Sequence, residues 1–412
     1  MVPIEVHTAR WVVPVATPPI PEGAVAVTDG RIIAVGPAAD LRQQPWDTWE
    51  DHGDGAILPG LVNAHTHLEF AALRGRLAPT ARLGDWLGAA LAAFAALPCD
   101  DLLEGIERAA REAMGFGTIL LAEVSNTGFS LPLLRRSGLA YHYFFECLGF
   151  DLLHDGPLEA DFPFLAAPGA QADPHVSAAA HAPYSVSATL FGRIAAWNRD
   201  RGQPSSVHLA ESREEVDFLV HGQGFFRELL IQRQRWYEGY RPPGCSPAVY
   251  LDGLGFLGPH TLAVHGLWLT AADRELLARR GTPVVLCPRS NLFTGAGFPD
   301  LAALDAAGVP LALGTDSLAS NQDLNLFREL EVLRERFPAV PPERLLRLAT
   351  LDGAAALGRE ADLGSLEPGK GAALLFLPCD AGAEDFWDHL VAAGAAGEVR
   401  WLSPGPKETC HA

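Results

Sequence analysis

From about residue 58 onward, short apolar runs alternate with longer stretches of helical periodicity. Eight runs read as buried strands, at 60–64, 118–124, 139–145, 175–180, 205–209, 261–264, 283–287 and 310–314. Continuous Val, Leu and Ala are what strands covered on both faces look like, and eight of them alternating with helices is the count of a (β/α)8 TIM barrel in the α/β class. One helix is clearly punctuated: Thr270 and Asp273 have capping-box spacing, Leu276 and Leu277 follow, and Gly281 stands at the C-terminal cap.

The ends of the chain read differently. Residues 1–57 offer short extended pieces at 4–7, 11–15, 24–27 and 31–35 with a turn at Asp29-Gly30, the pattern of a small antiparallel sheet. Past about residue 357 helices are expected to stop, and 363–377 places a Pro368-Gly369 turn between extended pieces that could complete that sheet. The expected organisation is a composite β-sandwich from 1–57 and 361–412 around a barrel over 58–360. Residues 222–257 are long for a strand-to-helix connection and contain RPPG, so they read as an insertion or lid near the top of the barrel.

Composition narrows the partners. Hydrophobic residues at 48% and charged residues at 20% suffice for a large core, while 31 basic against 50 acidic residues leave a net charge of −19. That field repels phosphate backbones and anionic lipid, so a small-molecule substrate is expected and nucleic acid and membrane are not. The first ten residues, MVPIEVHTAR, lack the apolar stretch of a signal peptide, and six scattered cysteines form no C-x-x-C pair, which points to a reducing cytoplasmic setting. The only lysines are Lys370 and Lys407, so neither a Schiff-base lysine in the centre of the fold nor a P-loop is available.

Candidate chemistry gathers at the carboxyl ends of the expected barrel strands, where barrels place their reactive residues. His65 and His67, two apart, project to one face and can share a metal ion. With 14 histidines in 412 residues such a triplet arises by chance about 0.5 times, so position has to decide. His208, His265 and Asp316 end three further strands, and five metal-competent groups at four strand ends are hard to assemble by accident. Imidazoles plus a carboxylate suit one divalent ion, Zn²⁺ with Fe²⁺ as the alternative, better than Mg²⁺ or Ca²⁺. A metal there lowers the pKa of water from about 15.7 towards 7, so the expected chemistry is hydrolytic. Glu211, three residues after His208, is placed to move a proton onto a leaving group.

The segments PGLVNAHTH, HAPYSVS, HLAES, LAVHG, CPRSN and GTDSLASN, with a trailing EPGKGA, together resemble the amidohydrolase superfamily over nearly the whole chain, in its branch of cytosine and adenosine deaminases and chlorotriazine hydrolases. The resemblance implies a barrel with a terminal β-sandwich and one metal held by His65, His67, His208 and Asp316. It also implies that His265 helps hold and activate water, that Glu211 shuttles a proton to a ring nitrogen and then to the leaving group, and that Asp316 deprotonates the water. Two-metal relatives bridge their ions with a carboxylated lysine on the fourth strand, which this chain lacks. The implied reaction is attack on an amino-bearing ring carbon with release of ammonia.

Substrate residues are read more thinly. His181 in HAPYS and Trp86 in GDWL are expected to face the substrate, and Glu69 in HTHLE resembles the aminodeoxyfutalosine deaminases of menaquinone biosynthesis, where a carboxylate could accept ribose hydroxyls. The expected substrate is a 6-aminopurine nucleoside with a large 5′ substituent. S-adenosylhomocysteine, methylthioadenosine, adenosine, a cyclic amidine or a chlorinated ring remain open, as does a non-catalytic scaffold. Arg74, Arg76, Arg82, Arg135, Arg136, Arg213 and Arg289 are candidate partners for a substrate carboxylate, and an exposed barrel face could support a homodimer.

Overall fold

In a computed structural model of the chain, residues 2–379, 382 and 385–404 are described, so Lys407, Cys410 and the rest of the expected C-terminal segment past 404 lie outside. Eight parallel barrel strands follow one another in chain order, the first being Leu61–His67, the second Thr118–Ser125, the third Ala140–Cys147 and the fourth Val176–Ala180. The fifth is Ser205–Leu209, the sixth Thr261–His265, the seventh Val284–Leu286 and the eighth Leu311–Leu313. Their side chains are buried on both faces almost throughout, which is why they read as unbroken apolar runs.

The eighth strand is split. Leu311–Leu313 pairs with the seventh strand, and Asp316–Ser317, two residues further on, pairs with the first at Thr66 and His67. The ladder therefore runs from the fifth strand through the eighth to the first and on to the fourth. Fourth and fifth strands share no ladder among the described residues; they meet through His208 N donating to the His181 carbonyl at 2.9 Å and Ser205 Oγ donating to the Ala178 carbonyl at 3.1 Å. Gly314 sits at the split because an added Cβ would lie 2.9 Å from His65 Cβ, so only glycine lets the eighth strand approach the first this closely.

Helices cover the strands with one apolar face. Cys99–Gly115, which opens with Asp100 and Asp101 in its first turn, buries Leu102, Ile106, Ala109 and Ala113 at helical spacing. The helix Ala271–Arg280 carries the expected capping box between Thr270 and Asp273, and Gly281 ends it in the left-handed region.

Both chain ends contribute to one seven-stranded sheet, in which Gly55–Pro59 pairs with Ala373–Pro378 from the far end of the chain. Hydrogen bonding runs unbroken through this sheet rather than through two separate layers, with Glu5–Val12 sharing one edge between Thr48–Asp51 and Gly55–Pro59. The pieces expected at 4–7 and 11–15 fuse into that single strand. The helices do not stop at 357: Phe386–Ala395 is a helix whose Phe386 and Leu390 are buried. Its run of small residues, AAGAA, carries little periodicity to read.

Candidate active site

His65 and His67 alternate with Thr66 on the first strand and so reach the same side, while His208 arrives from the fifth. One ligand atom from each lies within 4.8 Å of the others. His208 Nδ1 donates to the His181 carbonyl at 2.8 Å, which leaves the lone pair on Nε2, 3.4 Å from His67 Nε2. Both ring nitrogens of His65 are buried and have no hydrogen-bond partner among the described residues. Burial first, then its histidine neighbours, holds His65 well below its ordinary pKa, so it is a neutral imidazole. A neutral imidazole with no donor to satisfy it, beside lone pairs converging from two other strand positions, fits a cation.

Asp316 completes the cluster from the split eighth strand. Its Oδ1 is 3.7 Å from His65 Nε2 and 3.8 Å from His67 Nε2, and its Oδ2 accepts from Ser290 Oγ at 2.5 Å. Burial opposes ionisation, but His67, His265 and the Ser290 bond outweigh it and hold the carboxyl below its ordinary value. Asp316, His265 and Ala210 all have positive φ, at 58°, 76° and 50°. Strain in non-glycine residues at three strand ends is the usual mark of a site whose geometry the surrounding fold imposes.

Glu211 follows the fifth strand, buried, with Oε1 3.5 Å from His265 Nε2. Burial, then Asp316 and Glu215, pushes its carboxyl well above its ordinary value. Asn291 Nδ2 donates to His265 Nδ1 at 2.9 Å, so the imidazole proton sits on Nε2, aimed towards Glu211. Burial lowers the His265 pKa to about 3, which keeps it a neutral donor. His65, His67, His208 and Asp316 thus offer electron pairs, whereas Glu211 and His265 offer protons. His67, His208 and Asp316 of the first set and both members of the second line a cavity of about 130 Å³, as do Trp86 and His181, with His65 buried behind them.

Residues 56–387 match the amidohydrolase family, and residues 23–44 match a bacterial imidazolonepropionase-like composite domain. The chain belongs to the amidohydrolase family. A Syntrophobacter fumaroxidans protein named 5-methylthioadenosine/S-adenosylhomocysteine deaminase is 33% identical, with 92% of this chain and 86% of the relative covered. A Deinococcus radiodurans protein named aminodeoxyfutalosine deaminase is 31% identical over 82% of this chain and 81% of its own. A solved Xanthomonas campestris adenosine deaminase with bound zinc superposes with a TM-score of 0.82 at 29% identity, covering 97% of this chain and 91% of that one. The fold is accordingly a TIM barrel with an additional domain.

One residue expected to face the substrate lies elsewhere in this amidohydrolase. Glu69 does not line the cavity; its Oε1 accepts from Ser125 Oγ at 2.5 Å and Thr127 Oγ1 at 2.6 Å, tying the end of HTHLE to the second strand. Glu69 is buried, and these bonds hold it behind the cavity wall rather than on it. A different carboxylate, Glu146 at the end of the third strand, does line the cavity. Burial opposes its ionisation, yet His181, His208 and His67 and a 2.8 Å bond from Asn126 Nδ2 hold it below its ordinary value. The signal was present in the sequence, since Glu146 is the one acid in the buried run AYHYFFEC.

Glu215 also matters more than its place in a charged helix start suggests. It is fully buried, and its two oxygens accept from the backbone N–H groups of Ala210 and Glu211 at 2.9 and 3.0 Å. It holds the turn that presents Glu211.

Proposed function

We propose that the chain removes the exocyclic amino group of a 5′-substituted 6-aminopurine nucleoside by hydrolysis, giving the 6-oxo product and ammonia. Family membership, together with 30–33% identical relatives named as deaminases, makes it a hydrolytic deaminase. The observation that carries the reading is the division of the site into electron-pair donors and proton donors facing one cavity. His65, His67, His208 and Asp316 would hold one divalent ion, zinc in this reading. When bound, that ion supplies a nucleophilic oxygen near neutral pH by acidifying water.

The remaining steps belong to the chain's own residues. Asp316 is ionised and takes the water's proton through Oδ1, while Ser290 fixes Oδ2. Glu211 is protonated and donates to the ring nitrogen beside the amino-bearing carbon, so that charge does not build up on the heterocycle. Left as a carboxylate, Glu211 then takes the proton of the newly added hydroxyl and passes it to the departing amine, and the proton held by Asp316 returns Glu211 to its starting protonated form. His265 Nε2–H steadies the attacking oxygen, and Trp86 and His181 flank the ring.

Aminodeoxyfutalosine and methylthioadenosine are the leading substrates, on the names of the two relatives. The test is zinc-loaded protein assayed for ammonia release and for the purine absorbance change against aminodeoxyfutalosine, S-adenosylhomocysteine, methylthioadenosine and adenosine. Release of one ammonia per nucleoside converted is expected from at least one of them. Bound metal with no ammonia from any would overturn the reading and direct attention to chlorinated rings and cyclic amidines.

A further inference from the structure

A second chamber of about 290 Å³ opens beside the catalytic cavity and shares Leu87, Leu91, Leu148, His181 and Tyr184 with it. It is more than twice the size of the 130 Å³ space facing the histidines, so a ligand whose ring reacts there has room for a larger group next door. Leu148, at the join, is 46% exposed, unusual for a leucine lining an interior space and consistent with a surface that a ligand covers.

The outer wall comes from the long connection after the fifth strand. Its helix Phe225–Gln232 presents Phe226, Leu229, Leu230 and, just past its end, Arg233 to the chamber, the spacing of one helical face. Phe226 stacks on Tyr184 with ring centroids 3.6 Å apart, which fixes that face against the catalytic side. The lining includes two arginines and no aspartate or glutamate. Arg235 is neutralised by Asp151 at 3.1 Å, whereas Arg233 has no acidic partner among the described residues. Arg233 is exposed where it lines the chamber, and in a protein of net charge −19 a guanidinium with no acidic partner at the end of an apolar stripe is placed to meet an anion entering from solvent.

Resting on the deaminase reading above, the geometry points to a 5′ substituent that is apolar along its length and ends in an anion, with Arg233 as the residue that selects it. A zwitterionic amino-acid tail fits less well, because the chamber offers its ammonium no carboxylate. A bare methylthio group leaves most of the space and the arginine unused. None of the seven arginines singled out from the sequence lines either chamber.

The test is kcat/KM for ammonia release from a series of 5′-thioethers of adenosine: methyl, homocysteinyl, carboxybenzyl and the carboxamide of the last. Wild type is expected to prefer the carboxylate over its carboxamide by about 10- to 100-fold, the range of a charge-assisted hydrogen bond. Arg233→Gln should bring that ratio close to one, and Arg233→Lys, which keeps the charge, should retain part of it. A ratio near one in wild type, or an unchanged ratio in Arg233→Gln, overturns the assignment. If the methyl compound is deaminated while the ratio is one, the chamber assignment fails and the deaminase reading stands. If no member of the series releases ammonia, both fail.

Discussion

Replacing Glu215 by Gln isolates how the fold holds its proton donor. Glu215 touches neither cavity, yet its carboxyl receives two buried backbone N–H groups at 2.9 and 3.0 Å, those of Ala210 and Glu211. Glutamine can accept only one of them, because its amide nitrogen has no lone pair to offer the other. The orphaned N–H costs about 1–3 kcal/mol in a site water does not reach. Ala210, already in the left-handed region, loses part of what holds it there. Glu211 then drifts, and a displacement of about 1 Å at a reacting group costs on the order of 10²-fold in rate. The expected outcome is a kcat lower by about 10- to 100-fold at unchanged metal content, with a lower melting temperature.

The pH dependence of the same variant supplies a second readout. Burial raises Glu215 from its ordinary 4.5 to about 8, against the smaller effect of its two backbone bonds. The folded protein therefore holds this proton across a range in which the unfolded chain releases it. Its contribution to stability is complete below about 4.5, falls by up to about 1.4 kcal/mol per pH unit as pH rises, and levels off above about 8. Glutamine has no such slope, so the stability gap between wild type and variant should be widest near pH 5 and narrow towards pH 8. Denaturant melts at several pH values measure the gap. A variant with wild-type turnover and a pH-independent gap would refute the reasoning.

Three other outcomes are expected. Glu211→Gln should keep its metal and melting temperature while kcat falls by about 10²–10⁴-fold, measured as ammonia release beside metal analysis. Chelation should abolish turnover and lower the melting temperature, and added zinc should restore both, since the cation binds the folded histidine cluster and not the unfolded chain. Phe226→Ala, which removes a buried ring stacked on Tyr184, should destabilise the protein by about 3–5 kcal/mol in denaturant melts.

What the sequence made legible follows from how local each signal is. His65, His67, His208, His265 and Asp316 stand at strand ends, and a polar residue closing an apolar run announces itself without tertiary information. Glu69 and Glu146 show the limit. Both are buried acids, but which one faces the cavity depends on Ser125 at the end of the second strand and Thr127 just past it reaching Glu69 first. Glu215 looked like an ordinary acid of a helix N-terminus because its partners are backbone groups, which carry no sequence signature. The stripe Phe226, Leu229, Leu230 and Arg233 is written in the sequence, yet only its contact with Tyr184 reveals that it faces a chamber. The terminal sheet was half legible for the same reason: Gly55–Pro59 finds its partner more than 300 residues away.

The central claim is that water replaces an amino group on the purine of an otherwise intact nucleoside. Zinc-loaded protein incubated with methylthioadenosine and with aminodeoxyfutalosine in oxygen-18 water, followed by mass analysis of the product and titration of ammonia, tests it most directly. The account predicts a nucleoside that keeps its glycosidic bond, carries one oxygen from the solvent, and appears with one ammonia. An unlabelled product, a free purine base, or unchanged nucleosides in the presence of bound metal would contradict it.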